Sequence, residues 1–428
     1  MPVRRPDRPP SLVFANSAGE ILDYPGLRMA GASCGRYAQP APEDLIELPA
    51  GSELFVLPGR LPVGMNPDTG QAEILEKDPY SGGALQSVAA FMAPAHTATF
   101  SAAYRTSDNA PLLPLFAYSA VGWHRGKFWV AGFRSDPDPR QDAAGFQQER
   151  INRRTRALLK QHPANRLIQH LGKCCLTYGC PAARNYFLGR WEAPLPTSPA
   201  CNAACVGCIS LQPSGCCPAT QDRIKFVPTP AEIVEIAVPH LQQAKRAIAS
   251  FGQGCEGEPL LQAETIAQAI RQIRSHTDRG TINLNSNASL PEAVERLISA
   301  GLDSIRVSLN SARPEMHERY YRPRGFSLAD AQESIRLMKK AGRHVSLNYF
   351  ILPGFTDNPA EFAALCDLIA DGRPDLIQLR NLNMDPEWYQ RVVCPQEKGE
   401  PMGIRNWLQQ LQTRFPLLRF GYFNPPLR

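Results

Sequence analysis

Between residues 190 and 390 short apolar runs alternate with amphipathic stretches, and few architectures accept such a pattern. Strand-like runs fall at Ala247–Phe251, Thr281–Leu284, Ser304–Leu309, Val345–Leu352 and Leu376–Leu379. Helical spacing occupies residues 229–244, 260–275, 291–300, 327–341 and 359–371. Pro291 and Pro359 open two of these helices, while Gly301, Gly342 and Gly372 follow the ends of three, the usual asymmetry of helix termini. Repeated strand–helix units join parallel strands with helices outside, so the pattern predicts an α/β fold, a partial (β/α)6 barrel of the TIM type over residues 191–390. Ligands of such folds collect at the C-terminal ends of the strands.

The remaining chain reads differently. SLVFA, ELFVL, FAYSAVGW and FWVAGF are rich in β-branched and aromatic residues and bounded by turn formers, which predicts a β-rich N-terminal domain over residues 1–140. His124-Arg-Gly-Lys127 is expected to be a hairpin turn. Residues 141–190 form a helical connector that carries several cysteines, and residues 391–428 a C-terminal cap or tail.

Charge is concentrated in the connector. Residues 151–190 hold eight Lys/Arg and no acid, against 13 basic and 16 acidic residues before them and 25 and 24 after. A cationic field of this kind suits nucleic acid, but no nucleic-acid-binding motif accompanies it, and a solvated helix face is the simpler reading. No apolar run approaches the roughly 20 residues of a membrane span, and MPVRRPDRPP is not a secretory signal. A cytoplasmic location is therefore expected, where twelve cysteines point to metal or catalysis rather than disulfides.

The central cluster is Cys201-Asn-Ala-Ala-Cys205-Val-Gly-Cys208. Three thiolates this close converge on one iron–sulfur cluster and leave one iron of a cubane without a protein ligand. Spacing alone equally suits a zinc knot or three reduced thiols. In chain order the loop is followed by Gly257-Glu258-Pro259, Asn285-Ser286-Asn287, Arg306-Val-Ser308-Leu-Asn310-Ser311 and Tyr349-Phe-Ile-Leu-Pro-Gly354-Phe-Thr-Asp357, each at the C-terminal end of an expected strand. This series resembles the radical S-adenosylmethionine (SAM) superfamily over about residues 195–385.

The resemblance implies a [4Fe–4S] cluster on Cys201, Cys205 and Cys208, with SAM held at the open iron. It also implies reductive cleavage of SAM to a 5′-deoxyadenosyl radical that takes hydrogen from a substrate. Gly257, Glu258, Pro259, Asn285, Ser286, Asn287, Ser308, Asn310 and Gly354 become the expected SAM contacts. Gly207 stands where the family usually has an aromatic residue, so adenine packing falls to Phe355 or Ile351. An electron donor such as flavodoxin or ferredoxin is implied, and the substrate (small molecule, peptide or RNA) is left open. The competing readings are a nonenzymatic zinc- or nucleic-acid-binding protein and an iron–sulfur electron carrier.

A second iron–sulfur cluster would draw on Cys174, Cys175, Cys180, Cys216 and Cys217, five thiols within 44 residues. Cys255, beside Gly257-Glu258, is expected to be catalytic as a hydrogen-atom donor, or else a cluster ligand. Cys34, Cys366 and Cys394 are isolated and read as structural. Arg313, His317, Arg319, Tyr320, Tyr321 and Arg324 are expected on a loop after the fourth strand, and Arg380, Asn381 and Asn383 after the sixth, as substrate-facing candidates.

Overall fold

A computed structural model describes residues 5–212, 217–395 and 399–428. The chain forms two compact units, neither continuous in sequence: Met1–Pro137 with Phe350–Ala363 and Leu379–Pro416, and Asp138–Tyr349 with Ala364–Gln378 and Leu417–Arg428.

The first unit is built on antiparallel strands in the order His96–Ala98, Lys127–Arg134, Val121–His124, Ser11–Asn16, Ile21–Met29, Arg60–Met65 and Tyr104–Thr106. Alternating side chains of these strands and of Leu85–Phe91, which pairs with Ser11–Asn16, bury Val13, Ala15, Val88, Ala90, Val121 and Val130 together. The expected hairpin is present. Arg125 and Gly126 both have positive φ (49° and 79°), the two-residue turn whose twist matches its strands. Only the end of FAYSAVGW is strand, because Ser119 makes isolated bridges to Ala90 and Ser101. The later stretches pack into this unit through buried polar contacts. Arg60 Nη2 lies 2.8 Å from Asp385 Oδ2, both side chains about 98% buried, and Asn381 accepts from Ala98 N (2.8 Å).

The second unit opens with helices α1 (Gln148–Gln161), α2 (Arg166–Leu176) and α3 (Pro181–Phe187). A seven-stranded sheet follows in sequence order: β1 (Glu192–Leu195), β2 (Ile248–Phe251), β3 (Thr281–Ser286), β4 (Ser304–Leu309), β5 (His344–Ile351), β6 (Leu376–Asn381) and β7 (Arg419–Gly421). Its first five strands pair parallel, as do β6 and β7, and the order is open, which is a partial barrel. Between the strands come α4 (Pro230–Gln243), α5 (Ala263–His276), α6 (Pro291–Ala300), α7 (Pro314–Tyr321), α8 (Leu328–Lys340) and α9 (Pro359–Gly372), whereas α10 (Pro386–Val393) and α11 (Ile404–Arg414), between β6 and β7 in sequence, belong to the first unit. The five expected strands and five expected helices are all present, with ends moved by at most three residues. β1 and β7 flank them, so the sheet has one strand more than the six expected.

Every residue of β2 and β3 is buried, polar ones included. Ser250, Asn283, Ser304 and Asn285 therefore bond to one another along the sheet, and Asn424 donates to Glu192 (2.8 Å) and accepts from Gln378 (2.9 Å). Among the described residues no helix is long and apolar enough to cross a membrane.

Candidate metal and cofactor site

Parallel strands bring the loops after β1, β2, β3 and β4 to one rim. The loop after β1 carries Cys201, Cys205 and Cys208 and is fastened from two sides. On one side Gly257 N donates to Ser198 O (2.7 Å) and Glu258 N to Ala200 O (2.9 Å). On the other Ala204 N donates to Tyr321 O (2.9 Å), Val206 N to Tyr320 O (2.9 Å) and Arg324 N to Asn202 O (2.8 Å). Residue 257 has no room for a side chain, since a Cβ there would stand 1.9 Å from Ala200 O.

Two buried carboxylates brace the same turn. Glu256 accepts from Thr197 N (2.7 Å), Ser198 N (2.8 Å) and Gln253 N (2.6 Å). Glu258 accepts from Ser286 Oγ (2.6 Å), Asn287 N (2.9 Å) and Leu260 N (3.0 Å). Burial pushes both carboxyls up to about 7. Pro259 starts the 3-10 turn Pro259–Gln262. Asn287 donates to Asn202 Oδ1 (2.9 Å), which ties the end of β3 to the three-thiol loop.

Burial holds the Cys205 thiol well above its usual range and raises Cys201 as well, and the thiols of the loop repel one another's charge. Arg223 Nη2 lies 3.5 Å from Cys208 Sγ. A half-buried trio of thiols is a poor place for bare thiolates and a good one for thiolates whose charge a metal offsets. The donor set and its loop, held fixed by the close approach of Gly257 to the Ala200 backbone, fit an iron–sulfur cluster.

The other expected SAM contacts are distributed unevenly. The Asn285 amide is bonded to Gly252 O (2.8 Å) and so belongs to the sheet's own network. Ser308 is half-buried on β4, directly across from Asn348 of β5, whose Oδ1 is buried without a hydrogen-bond partner. Asn310 is fully buried and donates to Met316 O (3.1 Å). Gly354 lies in the first unit with φ +92°, where a Cβ would stand 2.6 Å from Cys34 N. Phe355 and Ile351 are both about 1% exposed, and Phe355 packs edge-on to Tyr389.

The expected loop after the fourth strand is a correction. Residues 314–321 are helix α7, which buries His317, Tyr320 and Tyr321 on one face. The i, i+3, i+4 spacing of those residues and Pro314 at the helix start were the available signal. Asn381 donates to His96 O (3.0 Å) and holds a strand of the first unit. In the connector, Arg166 pairs with Glu232 (2.7 Å) and Lys173 with Asp222, so part of the cationic run faces acids of its own chain.

The eleven described cysteines are free thiols. α2 sends Cys174 and Cys175 in different directions. Cys175 Sγ meets Thr155 Oγ1 (3.4 Å), whereas Cys174 Sγ meets His170 Nε2 (3.6 Å) and the thiol of Cys255. The hydrogen bond that Cys174 and Cys255 share lowers the former and raises the latter. Burial pushes Cys180 up to about 11. Cys217 is buried, and Cys216 lies outside the described residues. Sequence reasoning did not single out His170, Glu256, Arg223 or Asn348. Only the His-x3-Cys spacing of residues 170–174 was a readable sign among them.

An open parallel sheet with a three-thiol loop at its rim defines an α/β fold with a candidate metal centre. Residues 195–366 match the model of the radical SAM superfamily. Among curated proteins it is similar to a probable dual-specificity RNA methyltransferase RlmN of Synechococcus sp. (strain JA-2-3B'a(2-13)), 26% identical over 161 residues, covering 36% of this chain and 45% of that one. It is also similar to the FeMo cofactor biosynthesis protein NifB of Klebsiella pneumoniae, 25% identical over 178 residues and 38% of each chain. The chain thus spans less than half the length of these relatives. Among solved structures, Streptococcus suis SuiB bound to S-adenosylmethionine matches with a TM-score of 0.38 at 14% identity, covering 56% of this chain and 54% of that one. A radical SAM methyltransferase from Sphaerobacter thermophilus matches with a TM-score of 0.36 at 17% identity, covering 54% and 66%.

Proposed function

We propose that the chain is a radical SAM enzyme whose [4Fe–4S] cluster is held by Cys201, Cys205 and Cys208, with SAM at the iron they leave open. The observation that carries this reading is the three-thiol loop, fastened from both sides at the strand rim over a glycine with no room for a side chain. Cys201, Cys205 and Cys208 would hold the cluster, which would supply the one-electron reduction needed to cleave the sulfonium carbon–sulfur bond of SAM and so start hydrogen abstraction from the substrate.

The chain's own residues orient and enclose. Gly257 and Glu258 fix the loop through their amides, and the Glu258 carboxylate sets Ser286 and the Asn287 amide. Ser308 and the unmatched Asn348 Oδ1 are the groups we assign to SAM hydroxyl or ammonium contacts. Flavodoxin or ferredoxin is the proposed electron donor, and a small molecule, peptide or RNA in the cytoplasm the proposed substrate.

Anaerobically purified protein should hold about four irons at this site, and with dithionite and SAM it should form 5′-deoxyadenosine. The C201A/C205A/C208A variant should lose both. Iron without SAM cleavage would instead make the protein an electron carrier, and zinc alone would return these cysteines to a structural or nucleic-acid-binding role.

A further inference from the structure

His170 and Cys174 stand one turn apart on α2 and so present their donor atoms from the same helix face, 3.6 Å apart. Cys255 enters from the turn after β2, and the three donor atoms all lie within 4.8 Å of one another. Cys174 and Cys255 are 1% and 6% exposed, with His170 half-buried at the edge. We propose that His170, Cys174 and Cys255 form a second metal centre, separate from the three-thiol loop, that takes a thiophilic metal as a single zinc-class ion or an iron–sulfur cluster.

The donor chemistry is specific. Imidazole with thiolates is a ligand set of zinc and of iron–sulfur centres, and hard cations avoid it. Bond lengths of about 2.3 Å to sulfur and 2.0 Å to nitrogen place those atoms roughly 3.6 Å apart around one tetrahedral ion, and His170 Nε2 and Cys174 Sγ already have that separation. Ordinary apolar burial accounts for Cys175, which faces Thr155 on α1. It does not account for two buried thiols and an imidazole converging from α2 and from the turn after β2.

The assignment changes the role of Cys255. A thiolate bound to metal has no hydrogen atom to give, so Cys255 is a ligand and not the hydrogen-atom donor expected from its place in the sequence. It stands two residues before Gly257, whose amide holds the three-thiol loop, and the Cys255 carbonyl accepts from Ile224 N (2.7 Å). Metal at this position clamps α2 to the turn that seats the loop.

The test uses the C201A/C205A/C208A background, where any remaining metal belongs elsewhere. After anaerobic purification, metal and sulfide analysis should find either iron with inorganic sulfide, which identifies a cluster, or about one zinc without sulfide, which identifies a single ion. Adding Cys174→Ser or Cys255→Ser should abolish that metal, and Cys175→Ser should keep it. Metal-free protein of the same background, titrated with Co²⁺, should show thiolate-to-cobalt charge-transfer absorption that Cys255→Ser removes while the far-ultraviolet dichroism is unchanged. A background variant without metal and without the cobalt band, or metal that survives both serine variants, overturns the proposal.

Discussion

At residue 257 one hydrogen atom in place of a methyl group decides whether the three-thiol loop can seat. The Cβ of Gly257→Ala would press on backbone, which cannot rotate away. This variant should keep its secondary structure by circular dichroism, bind well under half the iron, and melt several degrees lower. His317 sets a pH dependence. Burial holds its imidazole at about 4, against an ordinary value near 6.5. Between those values the unfolded chain binds a proton that the folded chain does not, so stability rises from pH 4 to 6.5 and is level above. Between pH 7 and 5 this group alone should cost about 2 kcal/mol. Urea unfolding of His317→Phe should show a pH dependence shallower by that amount. The three-thiol motif stood out in the sequence because it needs only a residue type and a spacing. Glu256 and Asn348 did not, since burial and hydrogen-bond partners decide their roles and neither leaves a mark in the sequence.

Single elements show the same division. β2 to β6 were readable because each is a short run of buried residues between polar turns. β1 reads Glu-Ala-Pro-Leu, too short and proline-broken to stand out, yet it aims the three-thiol loop. α7 was read as loop because its sequence is charged and aromatic, and its helical state depends on burying His317, Tyr320 and Tyr321. α4 carries its own start signal. Thr229 and Glu232 form a capping box, and the Glu232 carboxylate also receives Arg166 Nε (2.9 Å) and Nη2 (2.7 Å) from α2. The Arg166 guanidinium beside Glu232 holds its carboxyl down to about 2. Thr229→Ala should cost about 1 kcal/mol in urea unfolding. Glu232→Ala should cost more, because the cap and the tie to α2 go together.

For the whole molecule the chain's path is the lesson that composition could not teach. Strand-rich composition marked residues 1–140, but nothing in it revealed that residues 350–363 and 379–416 complete the same unit. Asp385 makes the dependence concrete: it caps α10, accepts from Leu113 N (3.1 Å) and neutralises buried Arg60. Asp385→Ala leaves that guanidinium buried and alone, and should lower stability by roughly 3–5 kcal/mol in urea unfolding. A fragment ending at residue 137 should fail to give a cooperative melt, whereas the full chain gives one. The interleaved path also sets a clock on biosynthesis. A ribosome adding about 5–20 residues per second needs roughly 14–56 s to travel from residue 137 to residue 416, and for that interval the earliest strands leave the tunnel without the segments that complete their unit. Nascent chains should be held by chaperones over that window, and a stall before residue 416 should leave a product that proteases clear.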